Sequence, residues 1–273
     1  MSLEQIIVLA LIQGTTEFLP ISSSGHLILV PTVTGWADQG VVTDMVTNLG
    51  TLAAVIIYFW RDVVHMFWGV FDFIKRRTTQ NSQLAFHVLI GTIPIIVVGL
   101  LLKLTHLDEH IRSATLVAVN AIVFGLLLYA ADTYGLFRRT VLDMNWKSSL
   151  IIGGAQALSL SPGTSRSGVT MTAARGLGFT RVEAARFSFL LSIPANGAAS
   201  LLVIGDALES GQSISGPVIV TGILTFFVAL GTMTVLMRMI RTMSFLPFVV
   251  YRIVLGIALL ALIYSGIPLG AVN

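Results

Sequence analysis

Six apolar stretches of roughly 20 residues constrain this chain more than any other feature, since a helix of that length crosses a bilayer core about 30 Å thick. They occupy residues 42–60, 85–104, 114–131, 184–204, 217–236 and 247–266. Only 11% of all residues are charged, whereas soluble domains have roughly 25%. The sequence therefore predicts an all-α polytopic membrane protein with six transmembrane helices. It excludes a soluble enzyme, a disordered chain and a nucleic-acid-binding domain.

Two further hydrophobic regions are each interrupted by a polar segment, and their halves are too short to span. The first polar segment, residues 13–26, separates 6–12 from 27–36, and the second, 161–168, separates 148–160 from 169–179. Both segments are rich in proline, glycine and serine, which break helices. Irregular backbone persists at membrane depth only where protein or a water-filled cavity surrounds it. Each region is therefore predicted to form a re-entrant helix–loop–helix hairpin.

The two hairpins divide a single membrane domain, residues 1–273, into two similar repeats at about 1–135 and 145–273. Gln13 to Gly25 and Gln156 to Gly168 have the same spacing. A hairpin returns to its own side of the membrane, and three spans follow each hairpin. Because three is an odd number, the second repeat starts on the opposite face, and the prediction is an inverted-topology repeat. The two hairpins then enter from opposite faces, and their polar segments are expected to meet near the midplane.

Lysine and arginine are distributed unequally between the two faces that this topology defines. With the N-terminus outside, the inner segments contain Arg61, Lys75, Arg76, Arg77, Arg138, Arg139, Lys147, Arg181, Arg238 and Arg241, and the outer segments contain Lys103 and Arg112. Since positive residues concentrate in cytoplasmic loops, both termini are predicted outside. Residues 61–77 mix bulky apolar and charged residues, which predicts a helix on the inner surface. The N-terminus lacks a basic region and a cleavage site, so no removable signal peptide is expected.

The first polar segment contains residues suited to cation binding and to nucleophilic chemistry. Gln13 and Glu17 are four residues apart and share one helical face, and their side-chain oxygens suit Mg²⁺ or Ca²⁺. Glu17 could alternatively act as a base. His26 could activate a serine or donate a proton to a leaving oxygen. The candidate nucleophiles are Ser22, Ser23 and Ser24.

The second polar segment has the features of an oxyanion site. Arg166 can bind phosphate oxygens in a bidentate manner, and a helix beginning just after the segment would favour an anion at its N-terminus. Hydroxyl and backbone groups that could join it belong to Gly163, Thr164, Ser165, Ser167 and Gly168. Two other interpretations stay open: a glycine–serine turn that satisfies its own backbone, and a structural ion pair between Glu17 and Arg166. The chain has no cysteine, so thiolate chemistry is excluded.

Both polar segments resemble the signature motifs of the bacterial undecaprenyl-diphosphate phosphatase family, the bacitracin-resistance type. The motifs are QGTTEFLPISSSGH (13–26) and LSPGTSRSG (160–168), and the similarity continues through DMVTNLGTLAAV (44–55), RVEAARFSFLLSIP (181–194) and FVVYRIVLG (248–256). Two long motifs at the correct separation are far more specific than one short pattern. The resemblance therefore covers the whole chain.

The resemblance implies hydrolysis of undecaprenyl diphosphate to undecaprenyl phosphate and inorganic phosphate, which recycles the lipid carrier for cell-wall synthesis. It also implies a divalent cation and a site that opens to the outer face of the bacterial cytoplasmic membrane. The implied roles are cation binding by Gln13 and Glu17, nucleophilic attack by Ser23, catalysis by His26 and phosphate binding by Arg166. Many members have Glu where this chain has Gln13, which leaves one carboxylate. Ser22 is a further candidate for phosphate binding, and direct attack by water is the alternative to a phosphoserine.

A transporter or flippase for a prenyl phosphate or related lipid is the rival interpretation, because broken segments that meet at the midplane of inverted repeats are typical of transporters. The phosphatidic-acid phosphatase superfamily also contains Ser-Gly-His. However, no histidine follows His110, so its catalytic histidine is missing. The expected partners are the lipid substrate and membrane lipids, with no nucleic acid, and a homodimer is compatible with the sequence.

Overall fold

The computed structural model describes residues 1–105, 113–135, 138–209 and 215–265. Within these ranges the chain is helical, and the only β-type pairing is a single bridge between Arg139 and Phe179. The helices are α1 (Leu3–Thr16), α2 (Ser23–Thr34), α3 (Val41–Tyr58), α4 (Trp60–Ile74), α5 (Gln80–Thr105), α6 (Ala114–Tyr134), α7 (Trp146–Ala157), α8 (Arg166–Gly176), α9 (Arg181–Glu209), α10 (Gly216–Met239) and α11 (Leu246–Tyr264). The prediction of an all-helical chain is confirmed for the described residues.

Six of these helices are long and apolar enough to cross a membrane, namely α3, α5, α6, α9, α10 and α11. They coincide with the six stretches predicted from the sequence, which are thereby confirmed as continuous helices. In α9 half of the apolar window is buried, against 28–39% in the other five. Phe187, Phe189, Leu190 and Leu191 of α9 are almost fully buried, so α9 lies at the centre of the bundle.

The two interrupted regions form pairs of short helices, as expected. A turn over residues 17–22 joins α1 to α2, and residues 158–165, which begin with a 3-10 turn, join α7 to α8. Both connections end alike, because Ser22 and Ser165 adopt left-handed φ angles of 75° and 67°. Each of these serines caps the next helix by accepting a hydrogen bond from a glycine N–H, of Gly25 and Gly168 respectively. Non-glycine residues in this conformation cost roughly 1–3 kcal/mol and cluster at functional sites.

Close helix packing holds both pairs in place. A Cβ atom at Gly50 would overlap the carbonyl oxygen of Gly222, and one at Gly153 would overlap the backbone of Gly91. The helices α3 and α10, and likewise α5 and α7, therefore touch backbone to backbone, as small residues permit between membrane helices. Since α1 packs on α10 and α8 packs on α6, α7 and α9, the ends of all four short helices converge inside the bundle.

The amphipathic segment that follows the first span also forms a helix. This is α4, which covers most of the predicted 61–77 region and exposes Phe67 and Trp68. Arg186 of α9 anchors the start of α4 through an ion pair with Asp62 at 2.6 Å. The middle of α4 also packs on α5, since a Cβ at Gly69 would overlap the Asn81 backbone, and the helix leaves an aromatic face uncovered.

Candidate active site

The two polar segments meet through a direct ion pair between Glu17 and Arg166. The side chain of Glu17 is 7% exposed and that of Arg166 is 22% exposed. The hydroxyl of Ser167 adds to the contact by donating to the backbone oxygens of Glu17 and Leu19, at 3.2 and 3.1 Å. The expected meeting of the segments is confirmed, and the ion pair considered in the sequence analysis is present as well.

The second carboxylate oxygen of Glu17 faces the candidate nucleophile. The Ser23 hydroxyl donates to Glu17 Oε2 at 2.8 Å, and Gln13 Nε2 donates to the same oxygen at 3.1 Å. A base within hydrogen-bond reach of a hydroxyl can accept its proton as the oxygen attacks. Glu17 is therefore placed to activate Ser23 while its other oxygen orients Arg166.

Gln13 has a buried amide oxygen without a partner in the described structure. The residue is 2% exposed, and its Nε2 also donates to Asn48 Oδ1 of α3 at 3.0 Å, whereas Oε1 accepts no hydrogen bond. An unpartnered amide oxygen suits a hard cation such as Mg²⁺ or Ca²⁺, and turning the amide over would bring this oxygen, in place of Nε2, to the Glu17 carboxylate. The described residues contain no group of three or more His, Cys, Asp or Glu side chains able to hold a metal. Gln13 and Glu17 therefore fit a cation that takes its remaining oxygens from a diphosphate and water.

His26 lies in the first turn of α2, and both of its ring nitrogens are engaged. Nδ1 is 2.7 Å from the carbonyl oxygen of Ser22, and Nε2 is 2.5 Å from the Tyr251 hydroxyl. Because a carbonyl can only accept, Nδ1 carries the proton and Nε2 accepts from Tyr251. Burial lowers the pKa of His26, and the hydrogen bond to Ser22 opposes this shift. The neutral ring thus supports the serine turn, while Glu17 contacts the Ser23 hydroxyl.

Most of the polar groups predicted to bind phosphate are used to hold the turns. Ser22 and Ser165 cap α2 and α8, Ser167 bonds the first segment, and the Gly163 and Thr164 carbonyls accept from an arginine. Gly168 donates its N–H to Ser165, and the Thr164 hydroxyl is buried without a partner among the described residues. Of the residues predicted to bind phosphate in the second segment, Arg166 is the one that carries a charge, so its guanidinium is the strongest candidate to bind an anion.

A small cavity of about 10 Å³ lies beside the ion pair. It is lined by Glu17, Phe18, Arg166, Ser167, Ser188, Phe189 and Ser192. That volume holds about one water molecule, which is too small for a diphosphate. A diphosphate would fit here only if the cavity widened, as it would if the Arg166 guanidinium moved from Glu17 to a phosphate oxygen.

Arg252 of α11 is a site residue whose role the sequence analysis missed. It is completely buried and donates hydrogen bonds to five backbone carbonyls. They belong to Pro20, Asn120, Ala121, Gly163 and Thr164, at 2.9–3.3 Å. This one side chain therefore ties both turns to α6. Its position inside a predicted span could have indicated a role, because an arginine at that depth costs roughly 2.5–3.5 kcal/mol and therefore marks a structural or functional site.

Two further contacts were also beyond the sequence analysis. Asn120 of α6 donates its amide to the Ser161 hydroxyl at 2.8 Å and to the Pro162 carbonyl at 2.7 Å. Tyr251 stacks on His26 with ring centroids 5.6 Å apart. Tyr251 lies in the family-like segment 248–256, but neither contact could be predicted, since each residue acts through a partner that is distant in sequence.

Comparison with known proteins agrees with the motifs in the two polar segments. A family model described as bacitracin resistance protein BacA matches residues 6–258. An undecaprenyl-diphosphatase of Maricaulis maris is 47% identical over 265 residues, covering 95% of this chain and 98% of the relative. Undecaprenyl-diphosphatase 1 of Pseudoalteromonas translucida is 45% identical over 266 residues, covering 95% and 98%. An undecaprenyl-diphosphatase of Erythrobacter litoralis is 44% identical over 283 residues, covering 96% and 99%. Since the family match spans both polar segments, five of the six candidate spans and most of the sixth, this chain belongs to the bacitracin resistance protein BacA family.

Proposed function

We propose that this chain hydrolyses undecaprenyl diphosphate to undecaprenyl phosphate and inorganic phosphate, and so recycles the lipid carrier for cell-wall synthesis. The relatives named undecaprenyl-diphosphatase match over nearly their full length. The observation that carries the proposal is the contact of Ser23, Glu17 and Arg166, which joins a nucleophile, a base and a phosphate-binding group. The helices of a multi-pass membrane protein surround this contact, as a long prenyl tail requires.

The proposed reaction has two steps. Arg166 binds the diphosphate oxygens and neutralises the charge that develops on the transferred phosphoryl group. The Ser23 oxygen attacks the terminal phosphorus, Glu17 accepts the hydroxyl proton, and the bridging P–O bond breaks to release undecaprenyl phosphate. Water then attacks the phosphoserine, inorganic phosphate leaves, and the Ser23 hydroxyl is restored. In the alternative route water attacks directly and Ser23 positions it.

Gln13 Oε1 and the Glu17 carboxylate are the groups that would hold a divalent cation in this site. When bound, the cation would neutralise phosphate charge that Arg166 alone leaves uncompensated. Gln13 lies in the last turn of α1, and Glu17 is the C-cap residue one helical turn further on. The support for a cation is the unpartnered Gln13 amide oxygen, which would face the Glu17 carboxylate once the amide turned over.

The proposal includes a membrane topology. The pairs α1–α2 and α7–α8 enter from opposite faces as re-entrant hairpins of an inverted repeat. Both termini lie outside the bacterial cytoplasmic membrane, the site opens to the outer face, and α4 lies on the inner surface. The unequal distribution of lysine and arginine supports this orientation, and the matching serine caps of α2 and α8 support the repeat.

Single cysteines test the topology, because the chain has none of its own. In intact cells a membrane-impermeant maleimide should label Lys103→Cys and should not label Arg76→Cys until the membrane is opened. The reverse pattern would overturn the orientation. A homodimer stays a prediction of the sequence, and the mass of the purified protein in detergent would test it.

Phosphate release by purified protein in detergent tests the reaction, since no transport is possible there. Replacing a nucleophile lowers kcat by a factor on the order of 10³ or more, so Ser23→Ala should lose release to that extent. Ser24→Ala is the matched control in the same turn, because its hydroxyl bonds Ser22 and not Glu17. Trapped labelled phosphate on the wild-type protein would support the covalent route, whereas an active Ser23→Ala would exclude it.

Two further variants test the site itself. Glu17→Gln removes the base and Arg166→Lys removes the bidentate fork, and both should impair release even if water attacks directly. If both variants release phosphate at the wild-type rate, the proposed site is wrong. If the wild-type protein releases none, the transporter interpretation replaces the phosphatase.

A further inference from the structure

A second and much larger cavity lies where the end of α4 meets the starts of α5 and α7. Its volume is about 840 Å³, and its lining includes Phe73, Arg76, Arg77, Phe86 and Trp146. It shares no lining residue with the small cavity beside Glu17. The reaction proposed above makes no use of this cavity, which we call the α4–α5 cavity.

The α4–α5 cavity combines a basic rim with an apolar interior. Arg76 and Arg77 are exposed, and neither has an acidic partner among the described residues. Phe73 and Phe86 stack with ring centroids 5.7 Å apart, and Trp146 is 52% exposed. None of the lining residues is acidic. Such a surface complements a molecule with an anionic head and an apolar body.

The turn that carries the two arginines is held in one conformation. The N–H of Arg77 donates to the Asp72 carbonyl at 2.8 Å, and the Ser82 hydroxyl donates to the Arg77 carbonyl at 3.1 Å. The Asp72 carboxylate accepts from the Thr79 hydroxyl at 2.9 Å and so is not paired with either arginine. The backbone of both arginines is therefore fixed without an acidic group to neutralise them.

The position of the cavity favours a membrane lipid as its occupant. The candidate span α5 begins at Gln80, directly beside the cavity, so the cavity lies at the level where lipid headgroups meet the hydrocarbon. Exposed Phe67, Trp68 and Phe71 on α4 continue the apolar surface next to it. Aromatic residues of this kind favour the membrane interface. A free phosphate ion would contact the rim and leave the apolar interior unfilled.

We propose that the α4–α5 cavity binds an anionic glycerophospholipid, with its phosphate at Arg76 and Arg77 and the upper acyl chain against Phe73, Phe86 and Trp146. The site is separate from the site of phosphate release, and the proposal does not depend on the proposed function. It places a bound membrane lipid at the start of α5, whereas Lys103 lies near the end of the same helix.

Native mass spectrometry of the full chain in detergent, titrated with phosphatidylglycerol, tests the proposal. Each arginine near a membrane surface contributes about 1 kcal/mol to anionic-lipid binding, so Arg76→Gln/Arg77→Gln should bind phosphatidylglycerol at least about tenfold more weakly. Arg238→Gln/Arg241→Gln is the matched control, because it removes two exposed arginines elsewhere and should keep wild-type affinity. Trp146→Ser should also weaken binding, since it removes part of the apolar wall.

Three results would overturn the proposal. Equal loss in both double variants would show general attraction by surface charge. Equally tight binding of phosphatidylcholine would show that the anionic head is not recognised. Displacement of the lipid by inorganic phosphate at comparable concentration would identify a free-anion site. An unchanged thermal unfolding midpoint in the same detergent checks that each variant is folded.

Discussion

Replacing Arg252 by lysine separates the role of its charge from the role of its hydrogen bonds. The guanidinium bonds five carbonyls, of which those of Pro20, Gly163 and Thr164 belong to the turns of the site. Lysine keeps the positive charge but has three donors and no planar fork. At least two buried carbonyls therefore lose their partner in Arg252→Lys. At about 1–3 kcal/mol for each unsatisfied group, the variant should lose roughly 2–6 kcal/mol of stability.

Arg252→Lys should also slow the reaction in the protein that remains folded. A displacement of about 1 Å in a catalytic group can lower the rate by a factor on the order of 10², and Arg252 holds the turns that place Ser23 and Arg166. Steady-state phosphate release in detergent should therefore show a kcat reduced by that order in protein that is still folded. The thermal unfolding midpoint, measured in the same detergent, supplies the stability.

Arg175→Lys is the matched control, because Arg175 is also almost fully buried but pairs with Asp132 away from the turns. This variant should lose stability and keep the kcat of its folded fraction. A stable and fully active Arg252→Lys would refute the reasoning. So would an equal loss of kcat in both variants, which would indicate general loosening of the bundle.

Three other perturbations probe the same site. Gly163→Ala should destabilise the protein by more than about 1–2 kcal/mol, because Gly163 has φ of 85° and a Cβ would overlap the Val117 backbone; Gly176→Ala, where a Cβ meets open space, should not lower the thermal unfolding midpoint. Tyr251→Phe removes a hydrogen-bond donor to the neutral form of His26, which raises the pKa of the histidine. The acid limb of the pH–rate profile should therefore move to higher pH. An unmoved limb would show that His26 does not control this limb. Chelation should abolish phosphate release and Mg²⁺ or Ca²⁺ should restore it, with Gln13→Glu needing less cation for half-maximal rate; equal cation requirements would place the cation elsewhere.

The sequence was sufficient to predict the spans, the helix breaks and the meeting of Glu17 with Arg166. Each of these follows from a strong energetic rule, since backbone and charges at membrane depth must find partners within the protein. Glu17 and Arg166 are ionisable residues of opposite charge, one at each helix break, and contact between them is the simplest way to pair both charges. The low polarity of the bilayer therefore determines where these residues lie as much as their local helix propensity does.

The detailed use of each hydroxyl could not be predicted from the sequence. Ser165 and Ser167 look alike in the motif, yet one caps α8 and the other bonds the first polar segment. Their separation depends on backbone angles and on which helix lies opposite, and a linear pattern contains neither. The same reason hides Arg252 and Tyr251, whose partners lie at least 88 residues away in sequence.

The paired turns explain how one local structure supplies two different functions. Ser22 and Ser165 share the same left-handed backbone and the same capping bond, so the residue that follows each is projected from an equivalent position. In the first turn that residue is Ser23, and in the second it is Arg166. Both side chains reach the same carboxylate, Glu17, which bonds one with each oxygen. The turn therefore provides the placement and the identity of one residue provides the chemistry: in the proposed reaction, the first turn contributes the nucleophile Ser23 and the second contributes the phosphate-binding guanidinium of Arg166.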